Sequence, residues 1–115
     1  MKAIKVFLIA ALGFISVSVF AQTAQTTTFK VYGNCSTCKK HIENAAHVPG
    51  VTKADWNKDS KILTLVYDPA KVNVDDIQKR IAAVGYDTPK FRGDDKAYNA
   101  LDECCQYDRA PMAKQ

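Results

Sequence analysis

Short stretches rich in β-forming residues alternate along the chain with stretches of helical spacing. Phe29 and Val31 alternate with more polar neighbours, a period of two that predicts a strand with one buried face, beginning near Thr28. Two further β-rich runs, residues 51–56 and 61–67, are joined by four polar residues, a connection whose length suits a hairpin. The pattern therefore predicts three strands, with the hairpin at the centre of a sheet.

Two helices are predicted by apolar residues that recur at intervals of three and four. The first, residues 36–47, carries Cys38 on its inner face and ends before Pro49. Asn73 is expected to cap the second helix, and Gly85 is expected to end it. The apolar stripe of the second helix is expected to lie in the core and consists of Val74, Ile77, Ile81 and Val84.

The predicted order of elements is β-α-β-β-α-β, completed by a last short strand over residues 86–92. Pro89 lacks a backbone N–H, so this strand is expected at an edge or in an imperfect ladder. The order predicts an α+β fold, a ferredoxin-like βαββαβ sandwich with two helices on one face of a four-stranded antiparallel sheet. Beyond this unit, residues 95–106 are expected to form a short helix.

Residues 1–21 have the features of a signal peptide. Lys2 and Lys5 precede an apolar stretch of about 15 residues, which is shorter than the roughly 20 needed to span a membrane. We therefore expect cleavage and a periplasmic protein that is not embedded in the membrane. The polar residues 22–27 are expected to be a disordered leader, and residues 28–92 a single domain.

The charge of the mature chain excludes one class of partner. Removal of Lys2 and Lys5 leaves 14 of the 16 Lys and Arg residues against 12 Asp and Glu residues, so the net charge falls from +4 to about +2. The largest basic cluster is Lys39-Lys40, and a nucleic acid is therefore not expected as a partner. These two lysines either steer an acidic partner or form an ordinary solvated surface.

A C-x-x-C motif, Cys35 and Cys38, stands where the first strand ends and the first helix begins. Free N–H groups at a helix start favour the thiolate, the form that binds soft metals or attacks a disulfide. Two thiolates suit Cu(I) or Hg(II), whereas zinc usually has four ligands; Zn(II) and Cd(II) also accept thiolates. A local disulfide or a redox pair is the alternative. For His41, one turn beyond Cys38, three roles are open: a third ligand, a nearby charge, or an exposed side chain without a role at the site.

The chain resembles the heavy-metal-associated domain family over residues 28–92. The resemblance is carried by the C-x-x-C motif, by Val-Pro-Gly-Val at residues 48–51 and by Val-Gly-Tyr-Asp at residues 84–87. That family includes copper chaperones, metal-binding modules of copper- and cadmium-exporting P-type ATPases and the periplasmic mercury-binding protein. The resemblance implies that Cys35 and Cys38 bind the metal and that Tyr86 faces them. In this chain, Gly33 replaces the methionine usually found two residues before the first cysteine.

The resemblance implies periplasmic binding and transfer of a thiophilic heavy-metal ion, Cu(I) or Hg(II), without catalysis. The expected partner is a metal-transporting membrane protein or the metal-binding domain of a P-type ATPase, and the chain is expected to be a monomer. One alternative is a thiol–disulfide oxidoreductase that uses the same cysteine pair, although the sequence lacks a Trp-Cys-Gly-Pro-Cys motif. Another alternative is a protein that sequesters metal and has no transfer partner.

Residues 93–115 form a C-terminal extension that contains a second cysteine pair, Cys104 and Cys105. A short strand covers about 20 Å and a returning helix about 15 Å, so the extension is long enough to reach Cys35 and Cys38. One hypothesis is that a tail cysteine supplies an additional thiolate to the metal. The alternative is a flexible tail whose cysteines bind metal separately or form a cross-link.

Overall fold

The computed structural model describes residues 24–109. The predicted signal peptide, residues 1–21, lies outside this range, as do the first two residues of the predicted leader and the end of the extension. Within the described range, no helix is both long and apolar enough to cross a membrane.

The described residues form an α+β fold with one antiparallel sheet. In chain order, the elements are β1 (Gln25–Lys30), α1 (Ser36–Ala46), β2 (Val51–Trp56), β3 (Ile62–Tyr67), α2 (Val74–Ala83), α3 (Asp95–Asn99) and a 3₁₀ turn (Glu103–Cys105). β3 lies between β1 and β2 and is antiparallel to both. The helices α1 and α2 pack against each other, and α1 also packs against β2.

A single hydrophobic core joins the two longer helices to the sheet. Alternate residues of β3 point into it, so that Leu63 and Leu65 are fully buried while Thr64 between them is only half-buried. Burial of such apolar side chains is the main contribution that stabilises the fold. The other large, fully buried apolar and aromatic side chains include Ile42, Trp56, Ile77, Ile81, Tyr86 and Tyr107.

Strand β1 begins at Gln25, three residues before the predicted start at Thr28. Gln25 lies opposite Tyr67, and pairing with β3 continues without interruption to the end of β1. The prediction of a disordered leader is therefore wrong for residues 25–27. Threonine is a good strand former, and its polar side chain is tolerated on the exposed face of an edge strand.

The predicted hairpin between β2 and β3 is confirmed, with a turn one residue longer than expected. The Asn57 side-chain oxygen accepts hydrogen bonds from the N–H groups of Asp59 (2.8 Å) and Ser60 (2.9 Å). Lys61 then takes the left-handed conformation, with φ of 67°, and β3 starts only at Ile62.

The predicted second helix is confirmed, with Asn73 as its cap. The Asn73 side chain accepts a hydrogen bond of 2.8 Å from the Asp75 N–H. Ile77 and Ile81 of the predicted stripe are buried, as expected. Val84, however, is 39 % exposed, and its assignment to the core is wrong. The reason is that α2 ends one residue before it, and the chain then turns at a glycine with φ of 105°.

Residues 86–92 do not form the predicted fourth strand, so the sheet in the described part of the chain has three strands. One backbone hydrogen bond, from the Tyr32 N–H to the Asp87 carbonyl (3.1 Å), lies where that strand would pair with β1. The chain then turns, because the Thr88 N–H donates to the Phe91 carbonyl (2.9 Å). The proline between them has no N–H that could donate a hydrogen bond to a neighbouring strand.

The single helix predicted over residues 95–106 is also wrong, since α3 and the 3₁₀ turn take its place. The Asp94 side chain caps α3 by accepting a hydrogen bond from the Ala97 N–H (2.9 Å). The chain folds back after α3, because the Tyr98 hydroxyl donates to the Tyr107 carbonyl (2.6 Å). The extension therefore packs against the domain.

Candidate metal centre

The two motif cysteines lie at the start of α1. Cys35 occupies the capping position and Cys38 lies on the first turn, so that their Sγ atoms are 3.5 Å apart. Cys35 is half-buried, whereas Cys38 is fully buried and belongs to the core. The Asn34 N–H points at the Cys38 sulfur from 3.3 Å. The loop and the helix start thus present two sulfurs at one place.

Gly33, at the position where the resemblance implies a methionine, lies against Trp56. A Cβ at position 33 would be 3.1 Å from the indole ring and 3.2 Å from the Cβ of Cys38, which is tighter than most real contacts. The indole N–H donates a buried hydrogen bond of 3.0 Å to the Val31 carbonyl, which fixes the ring. Trp56 therefore occupies the space that a side chain at position 33 would need.

Both tail cysteines lie beside Cys35. The Sγ atoms of Cys104 and Cys105 are 3.3 Å and 3.5 Å from the Cys35 sulfur. Cys105 is buried and Cys104 is exposed, and all four cysteines are free thiols. The sulfurs of Cys35, Cys38 and Cys105 all lie within 4.8 Å of one another, close enough to share one ion. We call this group of three the inner site.

Tyr86 is fully buried beside the cluster. Burial is the main reason that the pKa of its hydroxyl is raised, and the nearby thiols of Cys38 and Cys105 add to the effect. The hydroxyl lies 2.9 Å from His41 Nδ1. His41 thus contacts the tyrosine and does not belong to the inner site, so the geometry favours a supporting role over direct ligation.

Tyr107 holds the tail against the domain two residues after Cys105. Its hydroxyl donates a hydrogen bond to the Gly85 carbonyl (2.7 Å) and accepts one from the Asp87 N–H (2.9 Å). Its ring stacks against that of Tyr86, with the ring centres 5.8 Å apart. Because Tyr107 is almost completely buried, water does not compete for these bonds. A buried aromatic anchor therefore sets the position of Cys105.

Arg109 provides a second anchor for the tail. Its guanidinium lies 2.7 Å from the buried carboxylate of Asp87 and 2.8 Å from that of Asp95. The hydrogen bond to Asp87 is the main reason that the pKa of Arg109 is raised. The same guanidinium lies over the Tyr98 ring, 4.5 Å from its centre. Arg109 thus joins the tail to the loop that follows α2.

The thiols of the cluster differ in acidity. Burial raises the pKa of the Cys35 thiol, but hydrogen bonds with the Cys38 backbone and with the other three thiols outweigh it and lower the pKa to about 6. Burial raises the pKa of Cys105, and the hydrogen bond with Cys35 raises that of Cys104. Cys35 is therefore more acidic than Cys104 and Cys105 in the metal-free cluster.

The length of the tail predicted that it could reach the motif, but the sequence did not identify the residues that hold it there. Tyr107 and Arg109 follow the tail cysteines closely, and Asp87 lies in the loop after α2. No local pattern marks these residues, because each of them contacts a residue 20 or more positions away in the chain.

Comparisons with known proteins give one matching family and several relatives. The family model described as "Heavy-metal-associated domain" matches residues 28–87. The "Mercuric transport protein periplasmic component" of Acinetobacter calcoaceticus is 36 % identical over 84 residues, which cover 71 % of this chain and 91 % of that protein. The "Copper chaperone CopZ" of Staphylococcus aureus (strain JH9) is 36 % identical over 55 residues, which cover 47 % of this chain and 81 % of that protein.

A solved structure extends the likeness to the fold. The N-terminal domain of a potential copper-translocating P-type ATPase from Bacillus subtilis, in its Cu(I)-loaded state, is 25 % identical to this chain. It superposes with a TM-score of 0.55, over 57 % of this chain and 85 % of that one. The family match ends at residue 87, so it includes Cys35 and Cys38 and leaves out both tail cysteines.

Proposed function

Because the chain belongs to the heavy-metal-associated domain family, we propose that it binds a thiophilic heavy-metal ion at Cys35 and Cys38, with Cys105 as a third ligand. The observation that carries this proposal is the inner site, three sulfurs within 4.8 Å of one another. The relatives are named as metal-transport and chaperone proteins, not as enzymes, which agrees with the expected lack of catalysis.

The spacing of the sulfurs bears on the choice of ion. With metal–sulfur bonds of about 2.3 Å, a linear ion holds its two sulfurs about 4.6 Å apart, and a trigonal or tetrahedral ion holds them about 3.8–4.0 Å apart. The sulfurs of Cys38 and Cys105 are each 3.5 Å from that of Cys35, nearer to the second arrangement. We expect Cu(I) or Hg(II) held by three thiolates, whereas Zn(II) or Cd(II) would need Cys104 as a fourth ligand.

Delivery of the ion is the second half of the proposal. One relative is named as a periplasmic transport component, and the solved structure is a domain of a P-type ATPase. The proposed partner is accordingly a metal-transporting membrane protein or a P-type ATPase metal-binding domain. We expect this chain to bind that partner as a monomer. The signal-peptide pattern of residues 1–21 supports transfer in the periplasm.

Native mass spectrometry of the reduced mature chain tests the binding, with Cu(I), Hg(II), Cd(II) and Zn(II) in competition. We expect one ion per chain and a preference for Cu(I) or Hg(II). X-ray absorption of the loaded chain should then count three sulfur neighbours, and two in Cys105→Ser. Two sulfurs in both proteins would remove Cys105 from the ligand set, and a chain that binds no ion would refute the function.

Sequestration without a partner is a second candidate, and the burial of Cys38 and Cys105 favours it. Deeply buried ligands slow the release of an ion because incoming thiols cannot reach it easily. Loaded chain mixed with an excess of a purified P-type ATPase metal-binding domain separates the two candidates. Complete transfer supports delivery, and retention of the ion supports sequestration. Catalysed disulfide reduction by the metal-free chain would support the oxidoreductase alternative instead.

A further inference from the structure

Cys104 differs from the other three thiols of the cluster in its exposure. Cys38 and Cys105 are fully buried, and Cys35 is half-buried. Cys104 is exposed and lies outside the inner site, yet its sulfur is 3.3 Å from that of Cys35 and 3.9 Å from that of Cys105. It is therefore within reach of two proposed ligands and lies on their solvent side.

We infer that Cys104 is an exchange ligand, through which the ion enters and leaves the inner site; this inference rests on the proposed function. In release, the Cys104 sulfur bonds to the ion and gives its proton to water, while the bond from the ion to Cys38 breaks and Cys38 takes a proton from water. The ion then lies at the surface, held by three thiolates, with its charge and oxidation state unchanged. The thiols of an acceptor replace these ligands in turn.

The 3₁₀ turn Glu103–Cys105 accounts for this division between the two tail cysteines. Successive side chains of such a turn point about 120° apart, so Cys105 can face the core while Cys104 faces solvent. The buried hydroxyl of Tyr107 fixes the turn from one side, with its bond of 2.7 Å to the Gly85 carbonyl. Cys104 is thus held at the mouth of the site without being buried in it.

The exchange role has a kinetic signature. A group that assists the ion across a barrier assists entry and release alike, so it changes both rates and leaves the affinity unchanged. A resident ligand, by contrast, contributes to the bound state and its removal lowers the affinity.

Stopped-flow transfer of Cu(I) between the chain and a chromophoric Cu(I) chelator tests the inference. Cys104→Ser should slow uptake and release by about tenfold or more, which corresponds to a barrier raised by at least about 1.4 kcal/mol. Equilibrium competition with the chelator should give the wild-type affinity, and X-ray absorption should still count three sulfurs. As a matched control, Cys104→Ser combined with Glu103→Cys returns a thiol to the adjacent exposed position and should remain slow.

Wild-type rates in Cys104→Ser would overturn the inference. A lower affinity in Cys104→Ser, accompanied by the loss of one sulfur neighbour, would also overturn it, because Cys104 would then be a resident ligand. Fast transfer in the control variant would count against it, since any surface thiol would then suffice. All three outcomes leave one-to-one binding by the wild-type chain intact, whereas failure of that binding would overturn the proposed function itself.

Discussion

Arg109 and Asp87, 22 residues apart in the chain, form a two-pronged ion pair. Nη2 of Arg109 is 2.7 Å from one carboxylate oxygen of Asp87, and Nε is 3.4 Å from the other. Asp87 has no exposed surface, and its carboxylate also accepts a hydrogen bond of 2.7 Å from the Gly93 N–H. The pair ties the segment that carries both tail cysteines to the loop beside Tyr86.

Arg109→Ala should lower the free energy of unfolding by about 3 kcal/mol, because it leaves a buried carboxylate without its cation. The tail should loosen as well, so that Cys105 of the metal-free chain is alkylated faster. Urea denaturation and mass spectrometry of the alkylated chain measure the two effects. Arg80→Ala, which removes an exposed arginine of α2, is the control and should change the free energy by about 0.5 kcal/mol or less. Equal effects of the two substitutions would contradict the anchoring role.

Ile81→Ala should lower the free energy of unfolding by about 2–5 kcal/mol, because Ile81 is fully buried and the truncation leaves a cavity. The metal stoichiometry of the folded fraction should not change. Val84→Ala, at the end of the same helix but 39 % exposed, should have a much smaller effect. Thermal or urea denaturation compares the two, and a similar loss in both would mean that the core boundary lies elsewhere.

Cys35→Ser and Cys38→Ser should both abolish tight binding of soft metals, but they should differ in stability. Cys35 lies at the helix start, whereas Cys38 is part of the core. A hydroxyl in that apolar place should destabilise the fold by about 1–3 kcal/mol, and the half-buried Cys35 should tolerate serine better. Chelator competition and circular dichroism measure binding and folding. Wild-type affinity in either variant would refute its assignment as a ligand.

The stability of the reduced, metal-free chain should depend on pH through Cys35. Its pKa in the folded chain is about 6, below the ordinary value of 9.0, so the folded state binds fewer protons than the unfolded state between these values. The stabilisation is therefore complete above about pH 9 and is lost as the pH falls through about 6. Urea denaturation of the wild type and Cys35→Ser across this range should show the difference between them growing with pH. A constant difference would rule out a lowered pKa.

The local parts of the fold could be predicted because each depends on residues close in sequence. Asn73 and the residues after it specify the start of α2, and Asn57 specifies the hairpin turn. Val84 was misassigned because helical periodicity does not show where a helix ends. Residues 86–92 were misassigned because β propensity does not reveal that the chain turns between Thr88 and Phe91.

The candidate site could be predicted only in part, for a related reason. Cys35 and Cys38 are three residues apart, and their proximity follows from the helix start. Cys105 is 70 residues from Cys35, and its place depends on contacts of Tyr107 and Arg109 with the loop after α2. Chain length showed that such an approach was possible, but only tertiary packing decides whether it occurs.

The contact between Gly33 and Trp56 constrains how this sequence can evolve. A larger residue at position 33 alone would overpack the loop, which typically destabilises a protein by about 1–3 kcal/mol. Alanine at position 56 alone would leave a cavity and remove the hydrogen bond to the Val31 carbonyl, a loss of about 3–5 kcal/mol. The two positions are therefore coupled, and a larger residue at position 33 is expected to fit best when the residue at position 56 is smaller.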